Sequence, residues 1–201
     1  MNYRKIRLIT SIVLFLLVSV SASLQAVEPG KLIMDTIDKG ILILKDPALK
    51  GEEKVQERRQ KLWEEISPVF NFEEMSKRAL GLYWKKCSPE EKKEFVELFT
   101  SILKDAYIGK TDTYSGEKIV LIKEKIESNY ANVQTRFVTI NGTEILVGFC
   151  MMDTQEKWKV YDVVIEGVSM VNNYRNQFNS ILVKSSYKEL VQKIKEKKAR
   201  G

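Results

Sequence analysis

The stretch FVTINGTEILV, residues 137–147, carries the strongest fold signal in the chain. Asn141-Gly142 is a preferred dipeptide of two-residue β-hairpin turns, because both central positions of such a turn need a positive φ. β-branched and aromatic residues stand on either side of it, as they do in paired strands. We therefore predict an antiparallel hairpin centred on residues 141–142.

The same two-residue periodicity extends outward from this hairpin. It begins near Tyr114 and ends near Ile165, with a second turn around residues 153–155. We predict a four-stranded antiparallel meander over residues 117–126, 130–140, 143–152 and 157–166. Strands three and four carry apolar residues on both faces. Because an antiparallel sheet commonly leaves one face to water, these strands require helices or a ligand on both faces.

Helical periodicity lies before and after the sheet in sequence. Four amphipathic segments precede the strands and two follow them, with apolar residues three and four positions apart. Start signals are Pro29, Asn71 with Glu74, and the capping sequence of residues 88–91. We predict that the helix begun by Asn71 extends far enough to carry Leu82 and Tyr83. Helices that bracket an antiparallel sheet indicate an α+β fold.

The N-terminus has the pattern of an export signal. Arg4, Lys5 and Arg7 precede an apolar run over residues 8–20, and small residues follow up to Ala26. The run is shorter than the roughly 20 apolar residues of a spanning helix. We predict a signal peptide over residues 1–26, cleaved after Ala26, and one folding unit over residues 27–201.

Several classes of chemistry lack their usual residues. The chain has no histidine, which removes the usual general base and the commonest metal ligand. Cys87 and Cys150 stand too far apart in sequence for a zinc motif, and phosphate-binding glycine motifs are absent. Removing residues 1–26 takes away three of 33 basic side chains and no acidic one, and leaves no basic and aromatic stripe for nucleic acid. We expect no enzyme, no cofactor and no metal; a disulfide between the two cysteines stays open.

Two blocks of sequence resemble the toluene-tolerance family. The first is FNFEEMSKRALGLYW, residues 70–84, followed by Ser-Pro-Glu-Glu at residues 88–91 and by residues 95–99. The second is WKVYDVVIEGVS, residues 158–169, which continues through residues 173–178. The resemblance runs from about Phe70 to the last helix and therefore covers most of the chain.

The resemblance implies a cystatin/NTF2-like sheet, curled against helices and enclosing the acyl chains of a phospholipid. It also implies a periplasmic shuttle that carries phospholipid between an inner-membrane ABC transport complex with an MCE-type subunit and an outer-membrane lipoprotein or porin. At about 0.8 kcal/mol per methylene, two chains of roughly 15 methylenes would cost on the order of 24 kcal/mol to expose. We therefore expect an apolar cavity at or above the upper end of the usual range of about 300–1,000 Å³.

Candidate lipid contacts are the residues on inward-facing stripes that converge on the predicted sheet, with Arg175 or Tyr174 as the candidate for the phosphate. They are Leu103, Tyr107, Phe137, Val147, Phe149, Tyr161, Val163, Ile165, Tyr174, Arg175, Phe178 and Ile181. Alternatively, Arg175 forms an ion pair with Asp162, because an isolated buried charge is costly. A carrier of another hydrophobic molecule, such as an isoprenoid or an organic solvent, is the alternative function.

Overall fold

The computed structural model describes residues 28–155 and 157–200. The predicted signal peptide, residues 1–26, lies outside the described residues and stays a prediction. In the described ranges, no helix is both long and apolar enough to cross a membrane.

Helices lie before and after one antiparallel sheet. In the described residues the α-helices are α1 (Pro29–Lys45), α2 (Val55–Ile66), α3 (Phe72–Leu80), α4 (Pro89–Ile108), α5 (Met170–Leu182) and α6 (Tyr187–Arg200). The strands are β1 (Lys118–Glu127), β2 (Tyr130–Val138), β3 (Glu144–Asp153), β4 (Trp158–Ile165) and β5 (Val168–Ser169). They form one sheet in the order β1-β2-β3-β4-β5. The predicted α+β architecture is confirmed.

The sheet has five strands, so the prediction of four was wrong. Glu166 and Gly167 both take positive φ values, 47° and 77°, and turn the chain back on itself. Val168 and Ser169 then pair with the end of β4. A two-residue strand has no periodicity of its own, which is why the alternation in the sequence did not reveal it.

Side-chain caps begin the helices where the sequence predicted them. Asn71 Oδ1 accepts the backbone N–H of Glu74 at 2.9 Å, and Ser88 forms a reciprocal capping box with Glu91. The predicted length of α3 was wrong. Gly81, at a φ of 57°, ends the helix after Leu80, and Leu82 is 74% exposed. Arg175 lies so close to Gly81 that a Cβ at this position would approach its Nε at 3.1 Å.

The hydrophobic core lies between the helices and one face of the sheet, called the inner face below. Phe95 and Phe99 on α4 are fully buried, and the Phe95 ring meets Phe178 on α5 edge-on at a centroid distance of 5.6 Å. Val133 and Met151 bring the inner face into the same cluster. At the sheet edge, Gly30 N–H donates to Glu124 on β1 at 3.0 Å and so fixes the start of α1.

The opposite face of the sheet is only partly covered. Leu146 and Tyr130, which alternate with inward-facing residues, are 50% and 47% exposed. Near β4 the guanidinium of Arg78 covers Tyr161 at 4.0 Å from the ring centroid. The expectation that both faces would be covered therefore holds for the inner face and only locally for the outer one.

Both cysteines are free thiols in the structure. Burial raises the pKa of Cys87 and that of Cys150. Cys87 Sγ donates to the carbonyl of Tyr83, whereas Cys150 on β3 accepts from Asn132. No disulfide joins them in this structure.

The core position of Phe95 leads to a stability prediction. Phe95→Ala should lower the free energy of unfolding by about 3–5 kcal/mol, because the lost ring leaves a cavity beneath α5. Leu82→Ala, at an exposed apolar position, is the control and should stay within about 0.5 kcal/mol of wild type. Urea denaturation followed by circular dichroism measures both. Equal losses in the two variants would contradict the placement of the core.

Candidate functional site

An apolar cavity of about 220 Å³ lies between the helices and the inner face of the sheet. We call it the sheet-side cavity. Its walls come from the end of α2, the start of α3, the end of α4 and the inner face of β3 and β4. The lining residues are Trp63, Ile66, Phe70, Phe72, Met75, Leu103, Tyr107, Ile108, Thr111, Phe149, Val163, Ile165 and Met170.

The lining of the sheet-side cavity carries no charged side chain. The Thr111 hydroxyl is already used, since it donates to the Ile108 carbonyl at 2.6 Å. Burial raises the pKa of Tyr107, so its phenol stays neutral at physiological pH. An apolar group bound at such a surface is stabilised, because both surfaces are removed from water. An ion bound there would lose its hydration and find no charged partner in the lining.

Three aromatic rings form one wall of the cavity. The ring centroids of Trp63 and Phe72 lie 5.4 Å apart, and those of Phe70 and Phe72 lie 5.8 Å apart. The wall is attached to the edge of the sheet, because Asn71 N–H donates to the Val160 carbonyl at 2.8 Å and Phe70 forms a single parallel bridge with Val160. The loop between α2 and α3 is thereby held against β4.

A larger groove of about 740 Å³ runs between α4, α5 and α6, and we call it the helical groove. It opens on a neighbouring face of α4: Leu103 and Tyr107 line the sheet-side cavity, whereas Ile102 and Ala106 line the groove. The two sets of lining residues have no member in common.

The structure does not bring the twelve predicted lipid contacts together. The members in the sheet-side cavity are Leu103, Tyr107, Phe149, Val163 and Ile165. Tyr174, Phe178 and Ile181 line the helical groove instead. Phe137 and Val147 lie on the inner face of the sheet and line neither space.

Tyr161 is displaced from its predicted partners by a β-bulge. Cys150 pairs with Asp162 and Met151 with Val160, so Tyr161 is an extra residue in β4. The bulge breaks the two-residue period, and Tyr161 leaves the face of Val163 to contact Arg78 and Tyr130. Alternation alone cannot reveal one inserted residue.

The predicted ion pair between Asp162 and Arg175 was wrong. Asp162 accepts the backbone N–H of Val171 at 2.9 Å and the hydroxyl of Ser169 at 2.5 Å, at the start of α5. The first N–H groups of a helix lack helical partners and favour a carboxylate, which gives Asp162 a local partner. Among the described residues Arg175 forms no ion pair, and it is exposed beside Gly81 in a depression apart from the cavity.

Most residues that sequence reasoning missed lie at helix ends and in turns. They are Trp63, Ile66, Phe70, Phe72, Met75, Ile108, Thr111 and Met170. Phe70 and Phe72 lie in the first block that resembles the toluene-tolerance family, and this block was the one indication in the sequence that they could belong to the site. The cavity is also smaller than predicted, because these added rings occupy part of the space between the sheet and the helices.

A carboxylate with two arginine partners holds the turn that closes one end of the cavity. Asp112 accepts from Arg58 Nη2 at 2.9 Å and from Arg59 Nη2 at 2.5 Å, which joins α2 to the turn after α4. Thr111, in the same turn, lines the sheet-side cavity. Partial burial acts to raise the pKa of Asp112, but the hydrogen bonds and charges of Arg59 and Arg58 outweigh it, so the pKa is lowered.

The lowered pKa of Asp112 gives a pH-dependent prediction. The native state binds fewer protons at this site than the unfolded state, so the stabilisation is complete above the unfolded pKa of about 3.9 and is lost as pH falls through the lower native pKa. Asp112→Asn should therefore lower the free energy of unfolding by roughly 1–3 kcal/mol at about pH 7, and by less at about pH 3, where this carboxyl is largely protonated in the unfolded state.

Urea denaturation at the two pH values measures this difference. Asp35→Asn is the control, because the Asp35–Lys31 pair is largely exposed and should contribute no more than about 0.5 kcal/mol. A loss in the Asp112 variant that is the same at both pH values would contradict the ionic character of the contact.

Comparisons with known proteins agree with the fold and identify the family of the sequence. The family model described as MlaC protein matches residues 34–196. The intermembrane phospholipid transport system binding protein MlaC of Haemophilus influenzae is 28% identical over 137 residues, which are 66% of this chain and 64% of that protein. A toluene tolerance protein of Pseudomonas putida is 25% identical over 115 residues, 56% of this chain and 54% of that protein. The chain thus spans somewhat less than two thirds of the length of either relative.

One solved structure has the same fold. It is a phospholipid-binding protein from Ralstonia solanacearum in complex with a phospholipid, at a TM-score of 0.77 and 23% identity. The superposition covers 86% of this chain and 98% of that one. At this identity the similarity concerns the fold.

Proposed function

The chain belongs to the MlaC protein family, and we propose on this basis that it is a periplasmic carrier that encloses phospholipid acyl chains. The sheet-side cavity is the observation that supports this function most directly, because none of its lining side chains is charged. A hydrocarbon chain placed there gains about 0.8 kcal/mol for each methylene removed from water. The relatives named for intermembrane phospholipid transport and toluene tolerance point in the same direction.

The cavity must widen to take acyl chains, because about 220 Å³ is less than the roughly 300–1,000 Å³ of small-molecule sites. We propose that the aromatic wall of Trp63, Phe70 and Phe72 moves outward. These rings contact one another at the junction of α2 and α3. The segment is joined to β4 by the Asn71 N–H to Val160 hydrogen bond, the Phe70–Val160 bridge and a hydrogen bond from Lys159 Nζ to the Pro68 carbonyl. Phe95 and Phe99 lie on α4, outside this segment, but Phe70 and Phe72 pack against the core cluster that contains them.

Ile165 is the most exposed residue of the cavity lining, at 37%, while Val163 and Leu103 are nearly buried, and we propose that the cavity opens beside it. We propose that acyl chains enter here and contact Leu103, Tyr107, Phe149, Val163 and Ile165. Contacts to the other candidates, including a contact of Arg175 with the phosphate, stay predictions.

The proposed role is transport without catalysis. The absence of histidine from the sequence and the uncharged lining of the cavity support a carrier over an enzyme. We propose that the sheet is of the cystatin/NTF2-like type. We also propose that the protein shuttles phospholipid between an inner-membrane ABC complex with an MCE-type subunit and an outer-membrane lipoprotein or porin.

Replacing Ile165 by a charged residue tests the cargo site. Ile165→Glu places a carboxylate at the opening of the cavity, where acyl chains would have to desolvate it. Protein purified from cells should then carry less phospholipid per chain by roughly tenfold or more. Solvent extraction followed by mass spectrometry measures the bound lipid.

Leu146→Glu is the matched control for this variant. It adds the same charge to the neighbouring strand on the opposite face of the sheet, and its lipid content should equal that of wild type. Undiminished phospholipid in folded Ile165→Glu protein would refute the site. Extraction of an isoprenoid or an aromatic solvent in place of phospholipid would favour the alternative cargo.

A further inference from the structure

We propose that the helical groove is a second binding site, separate from the phospholipid cavity, for a single-chain anionic amphiphile of the fatty-acid class. Its volume of about 740 Å³ falls within the usual range of small-molecule sites. Because it shares no lining residue with the sheet-side cavity, it can be filled or blocked independently.

The floor of the groove is apolar and comes from three helices. The side chains that form it are Ile102 and Ala106 from α4, Phe178 and Ile181 from α5, and Leu190 and Ile194 from α6. Phe178, Leu190 and Ile194 are buried, so the half-buried side chains of Ile102, Ala106 and Ile181 offer most of the accessible apolar surface of the floor. The small side chain of Ala106 leaves room between the larger ones. This floor suits an unbranched hydrocarbon chain.

The rim of the groove carries cations that lack acidic partners. Arg59 and Lys193 also lie on the rim, but both are already bonded to carboxylates, Arg59 to Asp112 and Lys193 to Glu189. Across the described part of the chain, Lys197 forms no ion pair, and Lys198 donates only to the hydroxyl of Ser101. Two neighbouring ammonium groups therefore remain available to a carboxylate, which they would bind by charge-assisted hydrogen bonds.

One acidic side chain also lines the groove and opposes an anion. Asp105 on α4 is exposed and accepts a long hydrogen bond, 3.4 Å, from Ser101. Its charge offsets one of the two available lysines and leaves an excess of positive charge on the rim. Neutralising Asp105 should strengthen the binding of an anion, whereas removing the lysines should weaken it.

The arrangement of the other lysines favours a small ligand over a membrane surface. Lys195 on α6 is bonded to Glu94 on α4 at 2.6 Å, and Lys188 lines a different depression with Glu189 and Gln192. The basic side chains of α6 are thus distributed around the helix. A helix that lies on anionic lipid would instead collect them on one face.

Titration with cis-parinaric acid, a fluorescent fatty acid, tests the proposal on the mature protein. Wild type should bind it saturably, with an affinity that falls as salt is added. The double variant Lys197→Glu, Lys198→Glu should weaken binding by roughly three- to tenfold, and Asp105→Asn should strengthen it by about twofold. The uncharged methyl ester should bind more weakly and without these charge effects.

Two further variants separate this site from the phospholipid cavity. Lys184→Glu with Lys188→Glu makes the same charge change outside the groove and should leave the affinity unchanged. Ile165→Glu, which blocks the sheet-side cavity, should also retain binding of the fatty acid. Suppose that Ile165→Glu abolishes binding of the fatty acid and that the Lys197, Lys198 variant keeps it. The fatty acid then occupies the phospholipid cavity. That outcome refutes the second site and leaves the carrier function standing. Equal weakening by both lysine pairs, or no saturable binding in any variant, would also refute it.

Discussion

Burial of the sheet's inner face against the helices is the interaction on which the rest of the structure depends. Val133 and Met151 are fully buried there, in one cluster with Phe95 and Phe99 of α4. Apolar surface removed from water supplies the main stabilisation of such a two-layer fold. Where the helices stand away from β3 and β4, the same requirement leaves a space that only apolar groups can fill favourably.

The charged groups of the molecule are arranged so that none enters this space. Asp162 is bound at the start of α5, Glu124 at the start of α1, and Asp112 between two arginines of α2. Each carboxylate is held by donors from another segment and so fixes a helix or a turn relative to its neighbours.

The two spaces beside α4 differ in chemistry because α4 presents different faces to them. Leu103 and Tyr107 face the sheet, where the surrounding residues are aromatic or aliphatic. Ile102 and Ala106 face α5 and α6, where lysines of α6 form the rim. One helix can therefore border an uncharged cavity and a cationic groove, since a one-residue step along a helix rotates the side chain by about 100°.

The sequence alone determined the α+β architecture, the four long strands, the capped helix starts and the family, because periodicity, caps such as Ser88 and turns such as Asn141-Gly142 are local signals. Only the tertiary structure decided which apolar residues meet. The bulge at Tyr161, the capping contact of Asp162 and the separation of Tyr174 from Phe149 depend on register and on segments distant in sequence. The alternation of apolar and polar residues predicts that a side chain faces inward. The packing of the other elements decides whether that side chain lies in the core, in the cavity or in the groove.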